Sequence, residues 1–323
     1  MASKPRTIKK AKKHFKTLKC APKQKDKVTK NLKGKSCYSN DDLFLMKKLW
    51  NDNNSKKMET NEPGEIWEFL KSNLDNKCYN ELCWLKNRPF SSKMNKEVMM
   101  KNVFRPFSPD SWKSKPYEWL SSVEILEVMK QYEKKYKEFV FIGPSPIDFD
   151  DKKLFGTCVW EKLCKFDLKN YVKTKPKIGI IFNLDPHDKG GSHWVSLFID
   201  INKEFIFYFD SNGDKIPREI KKFAERVISQ AANLNINLKY DTNEGKVHQM
   251  RDGQCAIFCL YFIIELLKGT KTAQQAMTDV ASNVATEAGV QDVQQTGGQN
   301  IQELLQNPEM MAQLQGMMGG SDA

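Results

Sequence analysis

Four residues of this sequence have the types and the order that acyl transfer by a thiol would need: His193, Asp210, Gln249 and Cys255. A sulfur nucleophile needs an adjacent base, the base needs a third group to orient it, and the oxyanion that forms needs N–H donors. His193 stands at the mouth of the apolar run "GGSHWVSLFID" (190 to 200), and Asp210 closes the next run, "EFIFYFDS" (204 to 211). Cys255 opens "CAIFCLYFIIELLKG", and Gln249 lies six residues before it in the polar stretch "HQMRDGQ".

The two β-like runs must form a hairpin for His193 and Asp210 to meet. With Asn202 and Lys203 as a two-residue loop, opposed residue numbers sum to 405, so Asp210 pairs with Val195. His193 has the parity of Val195 and then faces the same side as Asp210, diagonally placed at roughly 7–8 Å along the backbones. A three-residue loop would break that parity. A carboxylate beside an imidazole fixes its tautomer and leaves the other ring nitrogen as a base. The alternative for His193 is a simple hydrogen bond at a buried strand end, and only the company of Cys255 and Gln249 weighs against it.

A thiol at the first turn of a helix meets the positive end of the helix dipole, which favours thiolate. Cys255 is so placed, whereas Cys259, one turn on among Ile, Phe and Leu, is expected to be an inert core thiol. The side-chain amide of Gln249 and the backbone N–H of Cys255 are candidate oxyanion donors.

Periodicity supplies the elements that must hold these residues. "PGEIWEFLKSNL" repeats Ile66, Trp67, Leu70 and Leu74 at helical spacing. "SSVEILEVMKQYEKKYKEF" adds a capping box, Ser121 with Glu124, ahead of Ile125, Val128, Met129 and Tyr132 on one face. From Val140 the period changes to short strands: "FVFIG", "KIGIIFNL", "HWVSLFIDI", "EFIFYFDS" and "NINLKY" (235 to 240). An amphipathic helix follows Pro217, and the helix from Cys255 is apolar on almost every side and so buried. The expected fold class is α+β, a mixed sheet packed with helices. The expected organisation is a disordered basic arm over 1–36, a helical region over 37–139, a catalytic domain over 140–268 and a Gln/Met-rich flexible tail over 269–323.

The formal net charge is +12, yet residues 1–36 carry fourteen Lys/Arg against Asp26 alone, leaving the other 287 residues near −1. Such an arm, poor in apolar residues, is expected to stay disordered until it meets a polyanion such as DNA, or to serve as a solubilising or import-like extension. The chain lacks the apolar core of a signal peptide, and "CAIFCLYFII" is about half of a membrane span, which together imply a soluble protein with no membrane partner. Its eight cysteines form no CxxC pair and its four histidines are scattered, so reduced thiols and no metal or cofactor are expected. Cys78, Cys83 and the acids of "PIDFDD" (146 to 151) read as structural.

With "GSHWVSLFID", Asp210 seventeen residues after His193, and Gln249 six before Cys255 in "CAIFCLYF", the chain resembles the ubiquitin-like-protein-specific (SUMO-protease-like) cysteine proteases. The upstream segments "CYSNDDL", "ELCWL", "FRPFSPDSW" and "QYEKKYKEFVFIGPSPIDFD" are similar to the branch from nucleocytoplasmic large DNA viruses, the maturation proteases. The resemblance implies His193 as base, Asp210 as its orienting acid, Gln249 at the oxyanion hole, Cys255 as nucleophile and Trp194 as a wall of a slot for substrate glycines. Many cellular members carry Asp-Cys-Gly at the nucleophile, where this chain has Gln254, Cys255 and Ala256. It further implies an endopeptidase that cuts protein substrates after Gly-Gly, processing viral capsid or core precursors in the virion and at assembly sites in the host cytoplasm. The alternative is a deconjugase that removes SUMO or a ubiquitin-like modifier, and a third reading is a non-catalytic protein that keeps the fold. Gly298 in "QTGGQ" and Gly320 in "MMGGS" mark candidate self-cleavage sites.

Overall fold

The computed structural model describes residues 15–74, 78–107, 110–115, 118–249 and 253–277. The chain divides into two compact units, 1–105 and 106–323.

In the first unit, α1 (Asn40–Asn53) starts at a capping box between Ser39 and Asp42 and turns Leu43, Met46, Leu49 and Trp50 inward. It is followed by α2 (Pro63–Leu74), α3 (Glu81–Trp84), α4 (Arg88–Ser91) and α5 (Lys96–Val103). A buried carboxylate sits among them. Glu81 accepts from Ser36 Oγ at 2.5 Å, Trp67 Nε1 at 2.7 Å and the Cys37 backbone N–H at 3.0 Å. Burial outweighs these three donors and pushes the Glu81 carboxyl up to about 7.

Residues 15–36 are folded, which corrects the expectation of a disordered arm across 1–36. Their few apolar side chains could not build a core alone, but they need only dock on one. Leu18, Ala21, Val28 and Leu32 are buried, and Ala21 N–H donates to Val103 O and Arg105 N–H to Lys19 O, each at 2.9 Å. Cys20 and Cys37 are bridged, as are Cys78 with Cys83 and Cys158 with Cys164. The expectation that these thiols stay reduced is therefore also corrected: pairing is decided by Cβ proximity in the fold, which sequence spacing does not reveal. Cys255 and Cys259 are the free cysteines.

The second unit begins ahead of α6 (Ser122–Lys135), which carries the expected Ser121–Glu124 capping box. The helix falls with the sheet and not with the helical region to which 37–139 had assigned it, because its stripe of Ile125, Val128, Met129 and Tyr132 packs into the core of this unit. The sheet comprises β1 (Phe139–Phe141), β2 (Ser145–Pro146), β3 (Lys177–Asn183), β4 (Trp194–Asp200), β5 (Phe205–Phe209) and β6 (Lys239–Thr242), with α7 (Glu161–Cys164) between β2 and β3. Its order is β1-β3-β4-β5-β6, with β2 also paired to β3. The β3–β4 and β4–β5 pairs are antiparallel and the others parallel, so the sheet is mixed as expected.

Two buried clusters lie on its two faces. One gathers α6 and α9 (Cys255–Lys268) with Phe198, Phe207 and Phe209; the other gathers α8 (Arg218–Ala232) with Val195, Leu197, Ile206 and Tyr208. Strand β6 lies later than "NINLKY" suggested, since Asn235 at φ +59° and Leu238, which packs into the core, form its lead-in. Residues 269–277, expected to open the flexible tail, are ordered. Thr272 Oγ1 accepts from Gln275 N–H at 3.2 Å to open a further turn, which buries Ala276 and Met277 in the α9 core. Residues 278–323, with Gly298 and Gly320, lie outside the described residues.

Glu81, an acid protonated more readily when folded, at about 7 against 4.5, binds the extra proton only in the native state between those values. Stability should therefore fall as pH rises from 4.5 to 7, and Glu81→Gln should flatten that fall in urea-unfolding curves. A wild type whose stability rose across the window would contradict it.

Candidate active site

The hairpin register decides the site. Ser196 faces Phe209 and Leu197 faces Tyr208, so opposed numbers do sum to 405. The loop has four residues, 201–204, and not two, but an even count preserves the parity on which the argument depends. His193 precedes β4, its carbonyl accepting from Leu184 N–H at 2.9 Å, and Asp210 follows β5. Their side chains meet at 2.6 Å, His193 Nε2 to Asp210 Oδ1.

The acid is buried and held from three sides. Asp210 N–H donates to Asn243 Oδ1 at 2.9 Å, Asn243 Nδ2 donates back to Asp210 O at 2.5 Å, and Asn212 N–H donates to Asp210 Oδ1 at 2.9 Å. Cys255, the first residue of α9, is buried and hydrogen-bonds the His193 ring. Since Nε2 is engaged by Asp210, Nδ1 is the ring nitrogen left for the sulfur. Burial is the largest single influence on the His193 ring and opposes its charge; the hydrogen bonds and charges of Asp210 and Cys255 together prevail and raise it to about 9.

Gln249 is brought to this corner through Ser211. Ser211 O accepts the backbone N–H groups of both His248 and Gln249 at 2.8 Å, and Ser211 Oγ donates to Gln249 Oε1 at 2.8 Å. That bond occupies the amide oxygen, leaving the NH2 end as the donor. Trp194 is buried beside His193; its Nε1 donates to Leu120 O at 3.2 Å, and its ring lines a cavity of about 610 Å³ with Trp119, Trp160, Pro144 and Pro146. Cys259 donates to Trp194 O at 3.3 Å, and burial followed by the nearby Cys255 pushes its thiol well up, which suits an inert core role.

Ser211 and Asn243 were not among the sequence candidates. Ser211 adjoins Asp210 and a hairpin argument could have reached it; Asn243 is 33 residues away and no local pattern points to it. Among the described residues, no group of three or more His, Cys, Asp or Glu is arranged to hold a metal ion, and no helix is long and apolar enough to cross a membrane.

Residues 93–308 match the model of the Ulp1 protease family, C-terminal catalytic domain. The chain belongs to the Ulp1 protease family. It is a SUMO-protease-like cysteine protease, and viral proteases are among the proteins it resembles. A candidate thiol protease of Acanthamoeba polyphaga mimivirus is 30% identical over 275 residues, spanning 77% of this chain and 84% of that protein. A cysteine protease of African swine fever virus is 26% identical over 153 residues, spanning 45% of this chain and 56% of that protein. The crystal structure of an African swine fever virus protease superposes with a TM-score of 0.58 at 20% identity, covering 80% of this chain and 89% of that one, so this Ulp1-family chain shares its fold.

The His193 geometry sets a pH dependence. A base raised in the folded state from 6.5 to about 9 adds stability that is complete below 6.5 and lost as pH climbs through 9. Unfolding free energy should decline by roughly 1 kcal/mol per pH unit across that window. Asp210→Asn should remove most of the slope, and an unchanged slope in that variant would refute the pairing.

Proposed function

We propose that this protease is an endopeptidase whose nucleophile is Cys255, with His193 as acid and base, Asp210 as the group that orients it and Gln249 as an oxyanion donor. The observation that carries the reading is the single imidazole held between a buried carboxylate and a buried thiol at a helix start. In the reaction, Nδ1 of His193 holds the proton taken from Cys255, and the sulfur adds to the scissile carbonyl. The developing oxyanion faces the Cys255 backbone N–H and the Gln249 amide. The imidazolium then protonates the leaving amine, and water, deprotonated by the same nitrogen, releases the acyl group.

The proposed substrates are proteins with Gly-Gly before the cut, because a slot beside the indole of Trp194 admits backbone most easily where no Cβ intervenes. With viral relatives, the setting proposed is processing of capsid or core precursors, in virions and at assembly sites in the host cytoplasm. Gln254 and Ala256, in place of the Asp and Gly of many cellular members, bear on which side chains fit beside the nucleophile. Gly298 and Gly320 are proposed as sites of self-cleavage, which intact-mass measurement on incubated protein would detect. The second reading, removal of a ubiquitin-like modifier, is favoured by the family match itself and uses the same four residues.

An internally quenched peptide containing Gly-Gly-Xaa, run beside a SUMO fusion, separates the two. Cutting of the short peptide is expected, abolished in Cys255→Ala and reduced in kcat by roughly 10²–10³ in Gln249→Ala. Ser211→Ala should show a smaller kcat loss that does not add to that of Gln249→Ala. Cleavage of the fusion alone would favour the deconjugase, and a fully active Gln249→Ala would end the oxyanion assignment.

A further inference from the structure

The net positive charge of the chain resides in one unit. Residues 1–105 carry 26 Lys/Arg and 11 Asp/Glu, a net +15, while residues 106–323 carry 26 and 29, a net −3. Part of that charge is built into structure. Between Cys20 and Cys37, whose Cα atoms lie 5.1 Å apart, the chain forms a closed loop of two short 3₁₀ turns, Gln24–Asp26 and Lys30–Leu32.

The loop sorts its side chains strictly. Ala21, Val28 and Leu32 point inward, with Gln24 donating to Cys37 O at 3.0 Å and to Asp42 Oδ2 at 3.1 Å. Lys19, Lys23, Lys27, Lys30, Lys33 and Lys35 are all exposed. Among the described residues, none of these six takes part in an ion pair. Closing a loop of this length confines five of these lysines, which share it with Lys25, and Lys19 beside its closing residue, to within about 30 Å of the closure. Asp26 is the one acid between Cys20 and Cys37, so the lysines outnumber it and repel one another, a cost that a polyanion would relieve.

We propose that this disulfide-closed lysine ridge is a preformed binding surface for the phosphate backbone of nucleic acid. The residue types favour that partner over two others. All six cations are lysine, which serves phosphate as a point charge, whereas base-edge reading in the major groove favours bidentate Arg, Asn or Gln. The contact is therefore independent of sequence. Membrane-surface segments set apolar side chains among their cations, and here the apolar residues face inward. Protein interfaces centre on apolar and aromatic anchors and are depleted in lysine. The lysines belong to the first unit and the proposed catalytic groups to the second, and the function of this surface stands whether or not the peptidase reading holds.

The test uses the full chain and two variants of equal charge. One changes the six ridge lysines to Gln; the other changes Lys4, Arg6, Lys9, Lys10, Lys12 and Lys13 to Gln. Binding to a fluorescent 25-base-pair duplex is followed by anisotropy across a salt series. Wild type should show a log K against log salt slope of about −5 or steeper, from about 0.9 per phosphate over six contacts. The ridge variant should lose at least tenfold more affinity than the other and flatten the slope, while its cleavage of a Gly-Gly peptide stays at the wild-type rate. A triple change, Lys27, Lys30 and Lys33 to Gln, should give about half the loss of slope and guards against misfolding of the sixfold variant. Equal losses in the two sixfold variants would reduce the effect to net charge and overturn the proposal. Tighter binding to phosphatidylserine vesicles than to the duplex at the same salt would overturn the choice of partner.

Discussion

The hydrogen bond between Asp210 and His193 is the constraint around which the second unit is arranged. A carboxylate with no exposure is costly unless its charge is met, and here a ring at 2.6 Å and a backbone N–H at 2.9 Å meet it. Three conditions must hold together for that to occur: the β4–β5 register, the Asn243 clasp on the Asp210 backbone, and the turn after β5 that aims Asn212 N–H at the carboxylate. In return the imidazole is fixed in orientation and its charged form is favoured, while its other nitrogen is left to face Cys255.

The second coordinate of the site is the placement of α9. Its apolar surface packs against Phe198, Phe207 and Phe209, and Cys259 bonds the carbonyl of Trp194 one turn below Cys255. Helix and strand are thereby joined at the position that sets the distance between Cys255 and His193. The Asp210–Ser211 dipeptide ties in the remaining element: one residue holds the histidine and the next holds the Gln249 amide. A shift at the end of β5 would move both, so the Asp210–His193 pair and the Gln249 amide share one support.

The parts of this arrangement legible in the sequence are those governed by period and parity. Helix α2 and the capping box of α6 follow from local spacing, and the meeting of His193 with Asp210 follows from an even hairpin loop, even though the loop proved to be four residues long. What escaped depends on distant partners. Asn243 reaches Asp210 across 33 residues; Cys20, Cys78 and Cys158 find their partners only once the chain has folded; and residues 15–36 read as disordered because the surface that buries Leu18 and Val28 is supplied by the rest of their unit. Composition placed the positive charge correctly but not its form, an ordered loop with its lysines turned outward.

The most direct test of this account is a titration of the histidine side chains by heteronuclear NMR, in the wild type and in Asp210→Asn. One of the four imidazoles, His193, should stay protonated to about pH 9 in the wild type and titrate at lower pH in the variant. If His193 titrated near 6.5 in both, the buried pair would not exist in solution, and the catalytic assignment built on it would fall.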